Sequence, residues 1–198
     1  MTDNLLNVKK YLVKNGWASE TDKVERLGEG GCNVAYKVKT SSGEFVVKKA
    51  KKNRKTEEGD KIFYEATKDK GIPDSLTKIL YVDKEIVMME KAGEYDLEKV
   101  LENSDALPFQ DKTKFLTDLL DGYKCMHDEL GISHEDIKPG NIVIDSGGNP
   151  KIIDYGFVGK ETEVTGQYGT PYYMSPEIIT TDYTNGETRD PKKPMFGL

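Results

Sequence analysis

The stretch His134-Glu135-Asp136-Ile137-Lys138-Pro139-Gly140-Asn141, running directly into Ile142-Val143-Ile144, decides how the rest of this 198-residue chain is read. It sets an acid, a lysine and a carboxamide side by side just ahead of an apolar β run. A second β run, Lys151-Ile152-Ile153, follows the turn Ser146-Gly147-Gly148-Asn149-Pro150 and ends in Asp154-Tyr155-Gly156. Asn141 and Asp154 therefore place oxygen-bearing side chains on two adjacent segments. Downstream lies Gly169-Thr170-Pro171-Tyr172-Tyr173-Met174-Ser175-Pro176-Glu177, and far upstream Gly28-Glu29-Gly30-Gly31-Cys32-Asn33-Val34-Ala35-Tyr36. Glycines at a hairpin let the backbone lie close over phosphates with its N–H groups turned inward. Taken alone, the upstream stretch reads as a plain Gly-rich turn.

Around these motifs the chain alternates between two patterns. Leu5, Val8 and Leu12 recur at helical spacing between Asn4 and Lys14, closed by Asn15-Gly16, and predict a short amphipathic helix ahead of the main fold. Strand-like runs follow at Lys23 to Leu27, Val34 to Lys39 and Glu44 to Lys49, an antiparallel meander. A helix is predicted over Asp60 to Lys70, ended by Gly71 and Pro73, and further strands over Leu76 to Val82 and Glu85 to Met89. Beyond Gly93 the pattern turns helical. Leu97, Val100 and Leu101 share a face, and a longer helix runs from about Asp111 to Leu130.

Composition narrows the function classes. Net charge is −6, which argues against a nucleic-acid partner held through phosphate contacts. Apolar residues make up 36% and mean hydropathy is −0.65, as in a soluble domain with a core. No stretch approaches the ~20 apolar residues that span a bilayer. The start Met1-Thr2-Asp3-Asn4-Leu5-Leu6 lacks the basic segment and long apolar run of a secretory signal. Cys32 and Cys125, two thiols in unlike surroundings, suggest neither a disulfide framework nor a zinc spacing, and a reducing cytoplasmic compartment fits best.

Taken in order, the motifs resemble those of eukaryotic-like Ser/Thr protein kinases: a Gly-rich loop, a strand lysine, a helix glutamate, H-R-D-x-K-x-x-N, D-F-G and A-P-E. The resemblance covers about Lys23 to Glu177. It implies an α+β, two-lobed fold with a small antiparallel-sheet first lobe (1–90) and a reduced, mostly helical second lobe (91–198), together one minimal domain. It also implies an ATP- and Mg2+-dependent enzyme, a monomer, phosphorylating serine or threonine hydroxyls of a protein. In that chemistry Asp136 accepts the proton of the substrate hydroxyl, Lys138 reaches the transferring phosphate, and Asn141 and Asp154 hold the metal. His134 is expected to tie its loop to the Tyr155 region rather than to carry protons.

The same resemblance assigns the nucleotide site. Gly28, Gly30, Gly31 and Asn33 would cover the phosphates, Ala35 and Val46 would sandwich adenine from one side and Val143 from the other, and Met89-Glu90-Lys91-Ala92 would form the hinge. Family chains usually have valine and alanine where this one has Ala35 and Val46, an exchange that keeps the summed volume. The strand lysine is Lys48 or Lys49. Strand alternation and the apolar residue that normally precedes the family lysine select Lys48, with Val47 before it. Its acidic partner is expected at Glu65, inside the helix, since Glu57 and Glu58 look like its approach.

Several positions depart from the family. Asn33 stands for the third glycine, Tyr155 for phenylalanine, Ser175 for alanine, and Glu135 for the arginine that in many kinases binds an activating phosphate. A carboxylate there repels such a phosphate. The expectation is therefore a constitutively active enzyme, without activating phosphorylation at Thr162 or Thr165 and with Lys160 available to Glu135. Only 21 residues follow Glu177, where the family has several more helices, so either the chain is cut or it is a natural minimal kinase. Arg189 is expected to fold back on Glu177. The compact layout is similar to the HopBF family of bacterial effectors, which would imply type III delivery into a host cell and action on the host's ninety-kilodalton heat-shock chaperone. Two other classes compete: a pseudokinase-like binding module, and a kinase-fold enzyme acting on a small molecule. Lys48, Asp136, Asn141 and Asp154 together argue against the first, and Gly169 to Glu177, which resembles a peptide platform, argues against the second.

Overall fold

Strand alternation and the N-terminal helix together build the first half of the molecule. In the computed structural model of the chain, residues 2–52, 54–103, 111–160 and 169–174 are described. The chain divides into two compact units, Met1–Glu57 with Lys78–Lys91, and Glu58–Thr77 with Ala92–Leu198.

The first unit is a five-stranded antiparallel sheet in the order β1-β2-β3-β5-β4. Its strands are β1 (Lys23–Glu29), β2 (Asn33–Thr40), β3 (Gly43–Ala50), β4 (Ile79–Val82) and β5 (Ile86–Glu90). Helix α1 (Thr2–Lys14) does not lie ahead of this fold as a separate element. Its Val8 and Leu12 are fully buried with Val34, Tyr36, Val38, Val47, Ile86 and Met88 in one core. Each such aliphatic burial contributes about 1.5–3 kcal/mol. The chain leaves α1 through Trp17, whose ring packs 4.5 Å from that of Tyr81. Tyr11 then donates its hydroxyl to the Asp83 carboxylate, which also accepts from the backbone N–H of Glu85 and Ile86. Burial pushes the Asp83 carboxyl up, but these donors outweigh it and hold the group below its ordinary value.

The second unit begins with α2 (Glu58–Thr67), two residues earlier than the sequence pattern places it and ending three short. Thr67 ends it by returning its hydroxyl to the Phe63 carbonyl at 2.8 Å. The helix is tied to the segment after Asp154. Phe63 stacks on Tyr155 with centroids 3.5 Å apart and planes 7° off parallel. Gly59 lies so close that a Cβ there would overlap the carbonyl oxygens of Tyr155 and Gly156. These contacts join residues 58–77 to the unit that carries Tyr155.

The strand expected over Leu76 to Val82 begins only at Ile79. Leu76 instead makes a parallel bridge to Ile152, with Ile152 N–H donating to Ser75 O at 2.7 Å. The same unit holds β6 (Tyr95–Asp96), α3 (Leu97–Asn103), α4 (Lys112–Lys124), β7 (Ile132–Ser133), β8 (Ile142–Ile144), β9 (Pro150–Ile152) and β10 (Gly159–Lys160). Asp111 caps α4 by accepting from Lys114 N–H at 2.9 Å. The helix expected to continue to Leu130 widens into a π turn over Cys125–Glu129. Phe115, Ile142 and Ile144 form a small core under Leu97, Val100 and Leu119. That core holds the β8–β9 hairpin, and with it the two site-bearing segments.

The Asp83 knot gives a pH-dependent test. Its folded carboxyl lies below the ordinary 3.8, so its stabilisation is present above that pH and fades as pH falls through the folded value. Asp83→Asn should therefore lower the melting temperature at pH 7 and make progressively less difference below pH 4, measured by thermal circular dichroism. A gap that does not narrow in acid contradicts the assignment.

Candidate active site

The Gly-rich hairpin joins β1 to β2. Gly30 N–H closes the turn on Asn33 O at 2.9 Å, and Lys51 N–H donates to Cys32 O at 2.9 Å. Lys51 also pairs with Glu29 at 2.6 Å. A Cβ added at Gly28 or Gly31 would meet nothing within 4 Å. Cys32, half-buried, lies in the turn, whereas Cys125 is buried and burial pushes its thiol up.

Register settles the face on which each strand residue lies. Ala35 pairs with Lys48, and Val46 pairs with Lys37 and with Met89. Directly opposed residues share a face and neighbours along a strand do not. Ala35, Val46, Lys48 and Met89 therefore share one face, opposite the core beneath α1. Lys49 points to the α1 side, where it pairs with Glu85 at 2.9 Å and lies over the Tyr11 ring at 5.7 Å. At the end of β5, Glu90 N–H donates to Lys78 O at 3.0 Å. Lys91 reaches Glu44 at 3.0 Å, and with Lys37 it holds the Glu44 carboxyl down at about 2.

In the second unit the loop after β7 is organised by His134. A carbonyl only accepts, so the contact of His134 Nε2 with Ile153 O at 3.0 Å puts the ring proton on Nε2. Nδ1 is then the acceptor for the Asp136 N–H at 3.3 Å. The ring is fully buried and lies 5.6 Å from that of Tyr155, in the tying role the sequence predicts. Glu135 passes through with φ 63°, a left-handed conformation rare outside glycine, and Asp154 does the same at φ 66°. Such strain persists only where the surroundings enforce it.

Asp136 is 6% exposed and both its oxygens are engaged. Oδ2 accepts from Asn141 Nδ2 at 3.0 Å and from Lys138 Nζ at 2.9 Å. Oδ1 accepts from the Thr170 hydroxyl at 2.8 Å. Lys138 Nζ also donates to Thr170 Oγ1 at 2.7 Å, so acid, base and hydroxyl form a closed ring of bonds. Asn141 Nδ2 additionally donates to Asp136 O at 2.8 Å, which leaves its carbonyl oxygen as the group it can offer a cation. Ile153 N–H donates to Asn141 O at 3.0 Å and sets Asp154, the next residue, beside it. One amide oxygen and one carboxylate fit a small hard cation that takes its remaining ligands from phosphate and water. Val143, half-buried on β8, pairs with Asp96 and Lys151.

The structure thus gathers Asp136, Lys138, Asn141 and Asp154 in one unit, and Lys48, Ala35 and Val46 on one sheet face of the other. Glu65 is half-exposed and pairs with Lys68 at 2.6 Å. The buried acid of α2 is Asp60, on the stripe with Gly59, Phe63 and Thr67. Thr170, which the sequence reading quotes without a role, is the hydroxyl that joins Lys138 to Asp136. Its signal was its place in Gly169-Thr170-Pro171. Thr162, Thr165, Glu177 and Arg189 lie outside the described residues.

Residues 21–191 match the protein kinase domain family, and the chain belongs to that family. It is 31% identical over 197 residues to the serine/threonine-protein kinase MPS1 of Saccharomyces cerevisiae, a match covering 91% of this chain and 25% of that protein. It is 28% identical over 169 residues to the serine/threonine-protein kinase CLA4 of Candida albicans, covering 79% and 17%. It is 36% identical over 101 residues to the serine/threonine-protein kinase 36 of Mus musculus, covering 49% and 8%. The chain spans a quarter or less of the length of these relatives.

The ring through Thr170 is open to test. Removing a hydrogen bond to a charged group costs about 1.5–3 kcal/mol, about 10- to 100-fold in rate where the bond positions a reacting group. Thr170→Val should lower phosphoryl-transfer turnover by about that factor, with Thr170→Ser close to the parent. Equal rates for Val and Ser would remove the hydroxyl from the site.

Proposed function

We propose that this chain transfers the γ-phosphoryl group of ATP to serine or threonine hydroxyls of a protein substrate. The observation that supports this best is the closed set of bonds around the buried Asp136 carboxylate. The substrate hydroxyl oxygen attacks γ-phosphorus, its proton passes to Asp136, and ADP leaves. Lys138 places positive charge beside the acid, where it meets the charge of the transferring group. Thr170 holds both in register. Asn141 and Asp154 are the residues suited to Mg2+, which when bound neutralises charge on the phosphates. On the other unit Lys48 serves the nucleotide phosphates, and Ala35 and Val46 the adenine.

Activity without prior phosphorylation belongs to this reading. The segment after Asp154 is paired at its start by β10 to β7, and at its far end Thr170 is bonded to Asp136. Both anchors form from unmodified residues, and the acidic Glu135 offers a phosphate no cationic seat. The similarity to HopBF-type effectors adds a narrower substrate, the host ninety-kilodalton chaperone, with type III delivery. Failure to label that purified chaperone would remove this substrate and leave the kinase reading standing.

Labelled-ATP transfer to a panel of proteins and of small alcohols tests the main proposal, using phosphatase-treated protein verified as unmodified by mass spectrometry. Protein labelling without a lag is expected. Asp154→Ala should be inactive while folded, and Asp136→Ala should lose at least the factor of about 10²–10⁴ that proton transfer supplies. Glu65→Gln and Asp60→Asn are compared in the same assay, and the acid of α2 whose loss removes most of the activity carries the role expected of Glu65. Binding of nucleotide with no transfer to any acceptor would favour the binding-module reading.

A further inference from the structure

Asn33 takes the place of a glycine at the end of the phosphate loop, and its side chain is engaged. It is 8% exposed, opposite Ala50, on the same sheet face as Ala35 and Lys48. Its Nδ2 donates to Glu57 Oε2 at 2.9 Å. Its Oδ1 is buried and has no hydrogen-bond partner among the described residues. The amide orientation is chemically dictated, since turning it over would set its carbonyl oxygen against the Glu57 carboxylate. Glu57 is the polar anchor this buried side chain has. Glu57 is itself on a held segment: Thr56 N–H donates to Lys84 O at 3.2 Å, and the Thr56 hydroxyl to Asp83 O.

We propose that Asn33 and Glu57 form a clasp that keeps the phosphate loop in its closed hairpin before nucleotide arrives, making both positioning residues for ATP. A glycine at position 33 would have no side chain to anchor, and the loop would be ordered only on binding, at the expense of affinity. With the clasp, the ordering is already done. The link to ATP rests on the kinase reading; the closure of the loop does not.

The test uses the full chain and reads loop order at Cys32, next to Asn33, by its alkylation rate with iodoacetamide in the absence of nucleotide. Cys125, buried, is the internal reference. Asn33→Asp sets two carboxylates face to face and should speed Cys32 labelling about tenfold, as expected for loss of a charged hydrogen bond. The added negative charge alone would raise the thiol pKa and slow labelling, so acceleration reports opening. Asn33→Asp combined with Glu57→Gln restores the bond with donor and acceptor exchanged, and should return the rate to within twofold of the parent. In the transfer assay Asn33→Asp should raise KM for ATP about tenfold with kcat within twofold, and the double variant should reverse it. Labelling unchanged in Asn33→Asp, or raised and not restored by the second substitution, overturns the clasp. A fall in kcat with KM unchanged overturns the positioning role. If Asn33→Asp does not fold, Glu57→Ala, at a half-exposed side chain, gives the same labelling comparison. A chain that transfers no phosphate still yields the Cys32 result, so failure of the kinase reading and failure of the clasp remain distinguishable.

Discussion

A carboxylate taken out of water has to be met by donors, and Asp136 is almost entirely out of water. Lys138, Asn141 and Thr170 supply those donors, and each arrives from a different local structure. Lys138 comes from the loop itself, Asn141 from the turn that opens β8, and Thr170 from a segment 34 residues away in sequence. Meeting the demand of one anion therefore brings the loop, the hairpin and the downstream segment into one arrangement. His134 completes it from behind: a ring with one defined proton accepts the Asp136 N–H and donates to Ile153, just before Asp154.

In the first unit the organising rule is geometric rather than electrostatic. A strand residue has only two faces available, and burial of Val34, Tyr36 and Val38 beneath α1 commits the alternate positions to the other side. Lys48 follows Ala35 by pairing, and Lys49 is left to the α1 side with Glu85. The two lysines are chemically identical, and register alone separates their surroundings.

What could be read from the sequence was what is local. The loop motif, the β8–β9 hairpin and the alternation that sets Lys48 and Lys49 on opposite faces each depend on residues within a few positions of one another, where spacing and alternation suffice. The misses were set by distant partners. Leu76 leaves its expected strand because Ile152 offers a backbone bridge from another part of the chain. Which acid of α2 is buried is set in the same way. Helical periodicity gives a stripe but not its orientation, which here follows Phe63 stacking on Tyr155 and Gly59 lying against the Tyr155 carbonyl. At about 100° per residue, Glu65 sits roughly 140° around from Asp60, so the choice of face excluded one or the other. Thr170 was visible as a residue and opaque as a partner, because nothing nearby in sequence announces a bond to Asp136.

Helix α1 bears on where this fold begins. The family match starts at residue 21, seven positions after α1 ends at Lys14. A laboratory that trimmed the gene to that boundary would delete Val8 and Leu12, whose burial is worth about 1.5–3 kcal/mol each against a typical total of 5–15. It would also strip the cover from Val34, Tyr36, Val38, Val47, Ile86 and Met88. The trimmed protein would expose an apolar sheet face, the kind of patch that drives association. The practical frontier of the domain lies upstream of the one that family alignment draws, and recombinant work on this chain should keep α1.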